Sequence, residues 1–286
     1  MSSPATARRL WALGEPFHAL TYFAAEAREA FAAVGLPGFW AGYFAGRAAP
    51  LGPVGAAVVT ATFGSFAPGF VARRVPEVWT AVTPAGALAA RLAGVDAAVQ
   101  RVLPGWAGSS DAREAAALAR RAAEAVDVLG RPLAAANTAV GWPGEPHLVL
   151  WQALTTLREH RGDGHLAALL QRELLGLPAL VLAAVAGTTS AEWLQRARGW
   201  TPEDWAVAAE SLAERGLLAD GELTAEALAV RAAAEADTDR LALRPWRVLG
   251  DTGCARLAEL LVPVRRAVVT AGDWPAGNPI GVPDPP

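Results

Sequence analysis

The chain predicts a mainly α fold, built from two diverged copies of one helical unit packed as a pseudo-two-fold pair. Three observations lead there. Alanine, leucine, arginine and glutamate, all strong helix formers, dominate the 286 residues, and β-branched runs are short. Helix-start signals recur along the chain: Ser110-Asp111 precedes an alanine-rich run, and Thr201-Pro202-Glu203-Asp204 sets a capping threonine before proline and two acids. An internal repeat is also present. Leu10-Trp11-Ala12-Leu13 returns as Leu150-Trp151-Gln152-Ala153-Leu154, Gly35-Leu36-Pro37 as Gly176-Leu177-Pro178, and Gly46 as Gly187.

In chain order, apolar periodicity and breakers predict helices over 7–13, 21–34, 38–48, 54–63, 66–73, 84–102 and 110–129. They predict further helices over 132–139, 146–160, 165–174, 178–186, 190–196, 202–215, 225–243 and 251–268. The gap between 160 and 165 follows from Gly162 and Gly164, read as breakers, with Asp163 capping a new helix and His165 in its first turn. The units are then 1–103, a helical linker 104–147, and 148–270. The tail 271–286 is proline-rich and polar from Trp274 onward, and reads as disordered or laid over the surface.

Charge and motifs exclude more than they select. A net charge of −3 gives no whole-chain attraction to phosphate or anionic lipid. All 25 basic residues are arginine, which reads as genomic bias, so arginine number is discounted. The apolar stretch 51–71 is interrupted by Gly52, Pro53, Gly55, Gly64, Pro68 and Gly69, which argues against a membrane span. With no signal peptide at the N-terminus, the expectation is a cytoplasmic protein. Cys254, the single cysteine, reads as a small, partly buried residue. No Walker loop, dinucleotide glycine turn, nucleophile elbow or HExxH is present, so the common phosphate, nicotinamide, serine-hydrolase and zincin chemistries have no support.

The segment 177–243 resembles a winged helix of the MarR type. It has three helices in succession, then Glu214-Arg215-Gly216-Leu217-Leu218, similar to a helix end and first strand, and Leu223-Thr224-Ala225-Glu226-Ala227, similar to the start of the helix after a wing. Each repeated unit is therefore expected to be winged-helix-like. Arg9-Leu10-Trp11, Glu15-Pro16-Phe17-His18, the run from Gly46 to Gly52 and the run from Arg158 to His165 resemble a family of actinobacterial proteins known only as helix-turn-helix-containing. That resemblance implies DNA binding, but the helix 202–215 carries Glu203, Asp204, Glu210 and Glu214 against Arg215, and the wing is cut to Ala219-Asp220-Gly221-Glu222. DNA is not the expected partner.

Two polar clusters can carry chemistry. Glu159-His160-Arg161-Gly162-Asp163-Gly164-His165 holds two of the four histidines. It reads as a ligand site, as a metal site of non-standard spacing, or as a capped turn whose histidines bond backbone carbonyls. Glu15, His18 and Tyr22 share one face if a helix runs through them. If the repeats pack symmetrically, both clusters face one cavity, with His18, His165, Glu15 and His160 as catalytic candidates. Tyr22, Arg47, Glu159, Asp163, Trp40 and Tyr43 are then the ligand-binding candidates. All eight phenylalanines precede Val71, which suits either a plain core or a wide apolar pocket, and Arg47 can anchor an anion there. The function expected is small-molecule binding with an acid–base site between the repeats, in a chain that forms a homodimer or acts alone, with no cofactor specified. The rivals are a MarR-type DNA-binding regulator and a metal-dependent enzyme using the histidines.

Overall fold

The structure, a computed structural model, describes residues 3–275 and 281–282. The first part runs α1 (Pro4–His18), α2 (Leu20–Phe23), α3 (Ala25–Ala33), α4 (Phe39–Ala48), α5 (Ala56–Phe63), α6 (Pro68–Ala72), α7 (Val75–Ala81) and α8 (Pro84–Val102). The middle holds α9 (Ser110–Ala123), α10 (Pro132–Thr138) and α11 (Pro146–Leu170). Then come α12 (Leu177–Val185), α13 (Ala191–Arg198), α14 (Pro202–Glu214), the strands β1 (Leu218–Ala219) and β2 (Glu222–Leu223), α15 (Ala225–Ala242) and α16 (Gly250–Thr270). Among the described residues the fold is helical apart from this hairpin.

Local chemistry explains the boundaries. Ser3 and Thr6 form a capping box at α1, Thr83 caps α8 ahead of Pro84, and Thr201 and Asp204 form a capping box at α14. The predicted helix 21–34 is split, because Ala24 is extended between α2 and α3. Helix α7 was not anticipated, although Pro76 and Glu77 in its first turn are ordinary start signals.

One expectation is overturned. Residues 146–170 form a single helix, so Gly162 and Gly164 do not break it and His165 lies well inside it. Glycine weakens a helix interior by only about 0.5–1 kcal/mol, which the packing of α11 against α1, α9, α10 and α15 outweighs. Gly164 is there for space: a Cβ would lie 2.8 Å from Arg131 Nη1 and 3.2 Å from Leu241 Cβ. Asp163 does cap a helix, but it is α10, where its Oδ2 accepts the Ala134 N–H at 2.9 Å.

Helices α1, α8, α9, α11 and α16 enclose the main core, built around Leu10, Leu13, Phe17, Trp151, Leu257 and Leu261. The segment 104–147 belongs to it, since α9 lays Ala112, Ala115, Ala119 and Ala122 on α11. A second cluster gathers Phe44, Phe63, Phe66 and Phe70 with Trp40 and Trp200, and a third lies under α12, α14 and the hairpin around Leu182, Leu212 and Leu217. In the tail, Asp273 accepts a bond from Arg101 at 2.8 Å, Trp274 stands edge-on to Phe23, and Val282 is buried. Residues 276–280 and 283–286, the rest of the expected disordered tail, lie outside the described residues.

Candidate functional site

A cavity of about 580 Å³ opens between the aromatic cluster and the segment 177–242. Four helices each give it one stripe at the spacing of a single helix face. These are Arg8, Trp11 and Glu15 from α1; Trp40, Tyr43 and Arg47 from α4; Arg158, Arg161, Gly162, His165 and Leu169 from α11; and Arg231, Ala234, Glu235 and Thr238 from α15. Tyr22, Phe23, Phe39 and Phe63 complete an aromatic wall, while Ala179, Ala183, Trp193 and Arg198 close the far side from α12 and α13.

The polar wall is a chain of ion pairs. Arg47 grips Glu159 with two bonds, Nε to Oε1 at 2.9 Å and Nη2 to Oε2 at 3.0 Å, and donates to the Tyr43 hydroxyl at 3.1 Å while lying over the Phe63 ring. Arg158 donates to Glu159 Oε1 at 3.0 Å and to Glu15 Oε1 at 3.3 Å, and Trp11 Nε1 donates to Glu15 Oε2 at 2.8 Å. The two buried carboxyls are pushed apart. Burial opposes ionisation of Glu159, but Arg158 and Arg47 overcome it and hold that carboxyl at about 2. Burial wins at Glu15, which has one arginine, and its pKa is raised. At the other end Arg8 and Arg161 share Asp239 at 2.7 Å each, and Arg161 stacks over Trp11.

His165 has a defined tautomer. Its Nδ1 is 3.0 Å from Thr238 Oγ1, and that hydroxyl already donates to the Ala234 carbonyl at 2.7 Å. Nδ1 must therefore carry the proton. Nε2 is left as an acceptor with no partner among the described residues, in a side chain that lines the cavity. Burial lowers the pKa, Arg161 adding to it against the pull of Glu235, so the ring is neutral at neutral pH.

The structure gathers Glu15, Tyr22, Trp40, Tyr43, Arg47 and His165 on this wall, with Glu159 directly behind it. Three expected site residues point elsewhere. His18 is sealed beside the cavity: Nδ1 meets Thr155 Oγ1 at 3.0 Å, the ring stacks on Trp151 and is edge-on to Tyr22, and Nε2 is buried without a partner. His160 Nε2 bonds Asp127 Oδ1 at 2.8 Å toward the loop after α9, where burial and Arg131 hold the ring at about 4 against the pull of Asp127. Asp163 serves α10, and burial raises its carboxyl to about 6. Sequence reasoning passed over Arg158, Arg161 and Arg198; their helical spacing with His165 and Trp193 was the available signal. Among the described residues no three His, Cys, Asp or Glu side chains are grouped to hold a metal ion, and no single helix is long and apolar enough to cross a membrane.

Helix α13, a three-residue turn with Gly199 at φ 76°, and α14 form a helix-turn-helix followed by a hairpin and a long helix. The chain matches the sequence model of a family described as a helix-turn-helix family over residues 7–275. The chain belongs to that helix-turn-helix family. No curated protein and no solved structure matches it.

In this family member the turn faces inward. Trp200 Nε1 donates to the Ser65 carbonyl at 3.0 Å, Ala67 N–H to the Arg198 carbonyl at 2.9 Å, and a Cβ on Gly199 would strike Phe70 at 2.3 Å. Outward, α14 exposes Glu203, Asp204, Glu210 and Glu214, and Arg215 is spent on the carbonyls of Glu173 and Arg172. The hairpin tip is Asp220-Gly221, both at positive φ, with Leu218 opposite Leu223 and no basic side chain between them.

Proposed function

We propose that this helix-turn-helix family member is a small-molecule-binding protein whose occupant lies in the cavity between α1, α4, α11 and the segment 177–242. The observation that carries the reading is the cavity itself: about 580 Å³, with an aromatic wall and a few convergent polar groups. His165 Nε2 supplies an acceptor, or a base for a donor hydroxyl on the occupant, and Glu15 a carboxyl that burial keeps ready to hold a proton. Helices α4, α5 and α8 follow the order of α12, α13 and α15, with α6 and α7 standing where the second copy has α14 and the hairpin, which supports descent from a duplicated winged-helix-like unit whose first copy has no wing. The test is titration with the fluorescent aromatic 1-anilinonaphthalene-8-sulfonate. Saturable one-site binding is expected, lost when Ala183→Trp fills the cavity; undiminished binding in that variant overturns the reading.

The second reading, a MarR-type DNA-binding regulator, is favoured by the family and by the helix–turn–helix–hairpin order. The exposed acids of α14 oppose it. A salt-sensitive complex with duplex from the protein's own promoter, at nanomolar concentration and physiological salt, would establish it over the first.

A further inference from the structure

We propose that the occupant of the cavity is an organic anion, an aromatic body carrying a carboxylate or sulfonate-type group that Arg198 receives. This rests on the small-molecule reading and deepens it.

The argument is one of charge left over. Six guanidiniums line the cavity: Arg8, Arg47, Arg158, Arg161, Arg198 and Arg231. Four of them are bonded to carboxylates. Arg47 and Arg158 share Glu159, Arg158 also takes Glu15, and Arg8 and Arg161 share Asp239 and approach Glu235. Arg231 makes no ion pair among the described residues but feels the pull of Glu235. Arg198 is different in kind. It ends α13, its Nε is buried with no hydrogen-bond partner, and none of its nitrogens bonds a carboxylate among the described residues. Its neighbours are rings and cations: the guanidinium lies 4.8 Å from the Phe66 centroid and 5.8 Å from that of Trp193. Burial lowers its pKa, and repulsion by Arg47 and Arg158 adds to this against the pull of Tyr43.

A half-buried cation whose Nε is sealed from water and unbonded, and on which two like charges act, is costly unless something negative is brought to it. Ring faces offset part of that cost but leave the N–H donors unused. The fork geometry of a guanidinium suits a pair of anionic oxygens. The adjoining wall of Trp40, Tyr43 and Phe63 is aromatic and suits a ring system, so the anion and the aromatic body are read from neighbouring parts of one surface. The chain as a whole carries a net charge of −3, so this surplus is local to the cavity.

The experiment compares 2-naphthoate, 2-naphthalenesulfonate and the neutral 2-naphthamide by calorimetry on the full-length protein. In the wild type at least one anion is expected to bind ten-fold or more tighter than the amide, and the better of the two identifies the group received. Arg198→Gln is expected to reduce that ratio to near one while leaving amide binding within about two-fold, and Arg198→Lys to keep most of it. Circular dichroism checks that both variants fold. Should Arg198→Gln fail to fold, the wild-type ratio and Arg198→Lys still decide. Equal binding of anions and amide in the wild type, or a ratio that survives Arg198→Gln, overturns this proposal and leaves the small-molecule reading standing. Absence of binding by all three probes, together with no saturable fluorescence titration, overturns both.

Discussion

His18 and His165 are bonded in the same way and placed in opposite circumstances. Each has Nδ1 at 3.0 Å from a threonine hydroxyl that itself donates to the carbonyl four residues earlier, Thr155 to Trp151 and Thr238 to Ala234. Each ring is thereby fixed as the Nδ1–H tautomer with Nε2 as its free acceptor. At His18 that nitrogen is sealed between Trp151 and Tyr22; at His165 it belongs to the wall of a large cavity. The bonding pattern alone does not distinguish a structural histidine from a chemical one. The space beside the second nitrogen does.

The comparison breaks most visibly at the ion pairs between the two rings. Glu159→Gln removes the carboxylate shared by Arg47 and Arg158 and leaves buried positive charge, so a loss of about 3–5 kcal/mol in denaturant unfolding is expected. A loss below about 1 kcal/mol would mean that these groups are solvated.

Substituting the rings sharpens the contrast. His18→Ala is expected to cost about 2–3 kcal/mol through lost packing against Trp151 and Tyr22, with probe binding little changed. His165→Ala is expected to cost about 1 kcal/mol or less, the worth of one hydrogen bond, and to weaken binding of a hydroxylated probe such as 6-hydroxy-2-naphthoate. If the two variants exchange these phenotypes, the assignment is reversed.

Acid acts on both rings and on His160. All three pKa values lie below the ordinary 6.5, His160 at about 4, so the unfolded chain takes up these protons first. Their stabilising contribution is complete above about 6.5 and declines as pH falls toward 4. Glu159 adds a second loss, from 4.5 down to about 2. Asp163 has the opposite sign: its raised carboxyl contributes fully below 3.8 and loses that contribution as pH rises through about 6. The urea midpoint should therefore fall between pH 6.5 and 4, and fall less in His160→Gln. A flat profile would show that the rings are open to water.

The smallest effect concerns the two glycines beside His165. At Gly162 a Cβ meets only Glu159 Oε2 at 3.6 Å, so Gly162→Ala should stabilise the chain by about 0.5–1 kcal/mol. Gly164→Ala should destabilise it, by forcing Arg131 and Leu241 aside. Thermal unfolding of the pair tests whether α11 is continuous in solution.

These glycines also mark where the sequence misleads. Periodicity and caps located most helices, and α8 coincides with its expected span because Thr83 and Pro84 signal its start in the chain itself. Gly164 looks like a breaker because its reason is a guanidinium arriving from Arg131, which no local pattern shows. Trp40, Tyr43 and Arg47 were legible by residue type, an aromatic cluster with an anion-anchoring arginine, and α4 alone places them on one face. Arg158, Arg161 and Arg198 were not, since in a chain whose every basic residue is arginine a working arginine looks like composition. His160 and Asp163 sit in the same motif as His165, yet helical rotation turns them toward α9 and α10.

Helix α11 has its side chains answered from far away in sequence: His18 meets Thr155 across 137 residues, Arg47 meets Glu159 across 112, and His165 meets Thr238 across 73. During synthesis it leaves the ribosome with α1 and α4 already waiting and α15 still to come. Its polar interior is thus completed in two instalments, and the first half of the protein must hold an unfinished seam in water until the chain has passed residue 242.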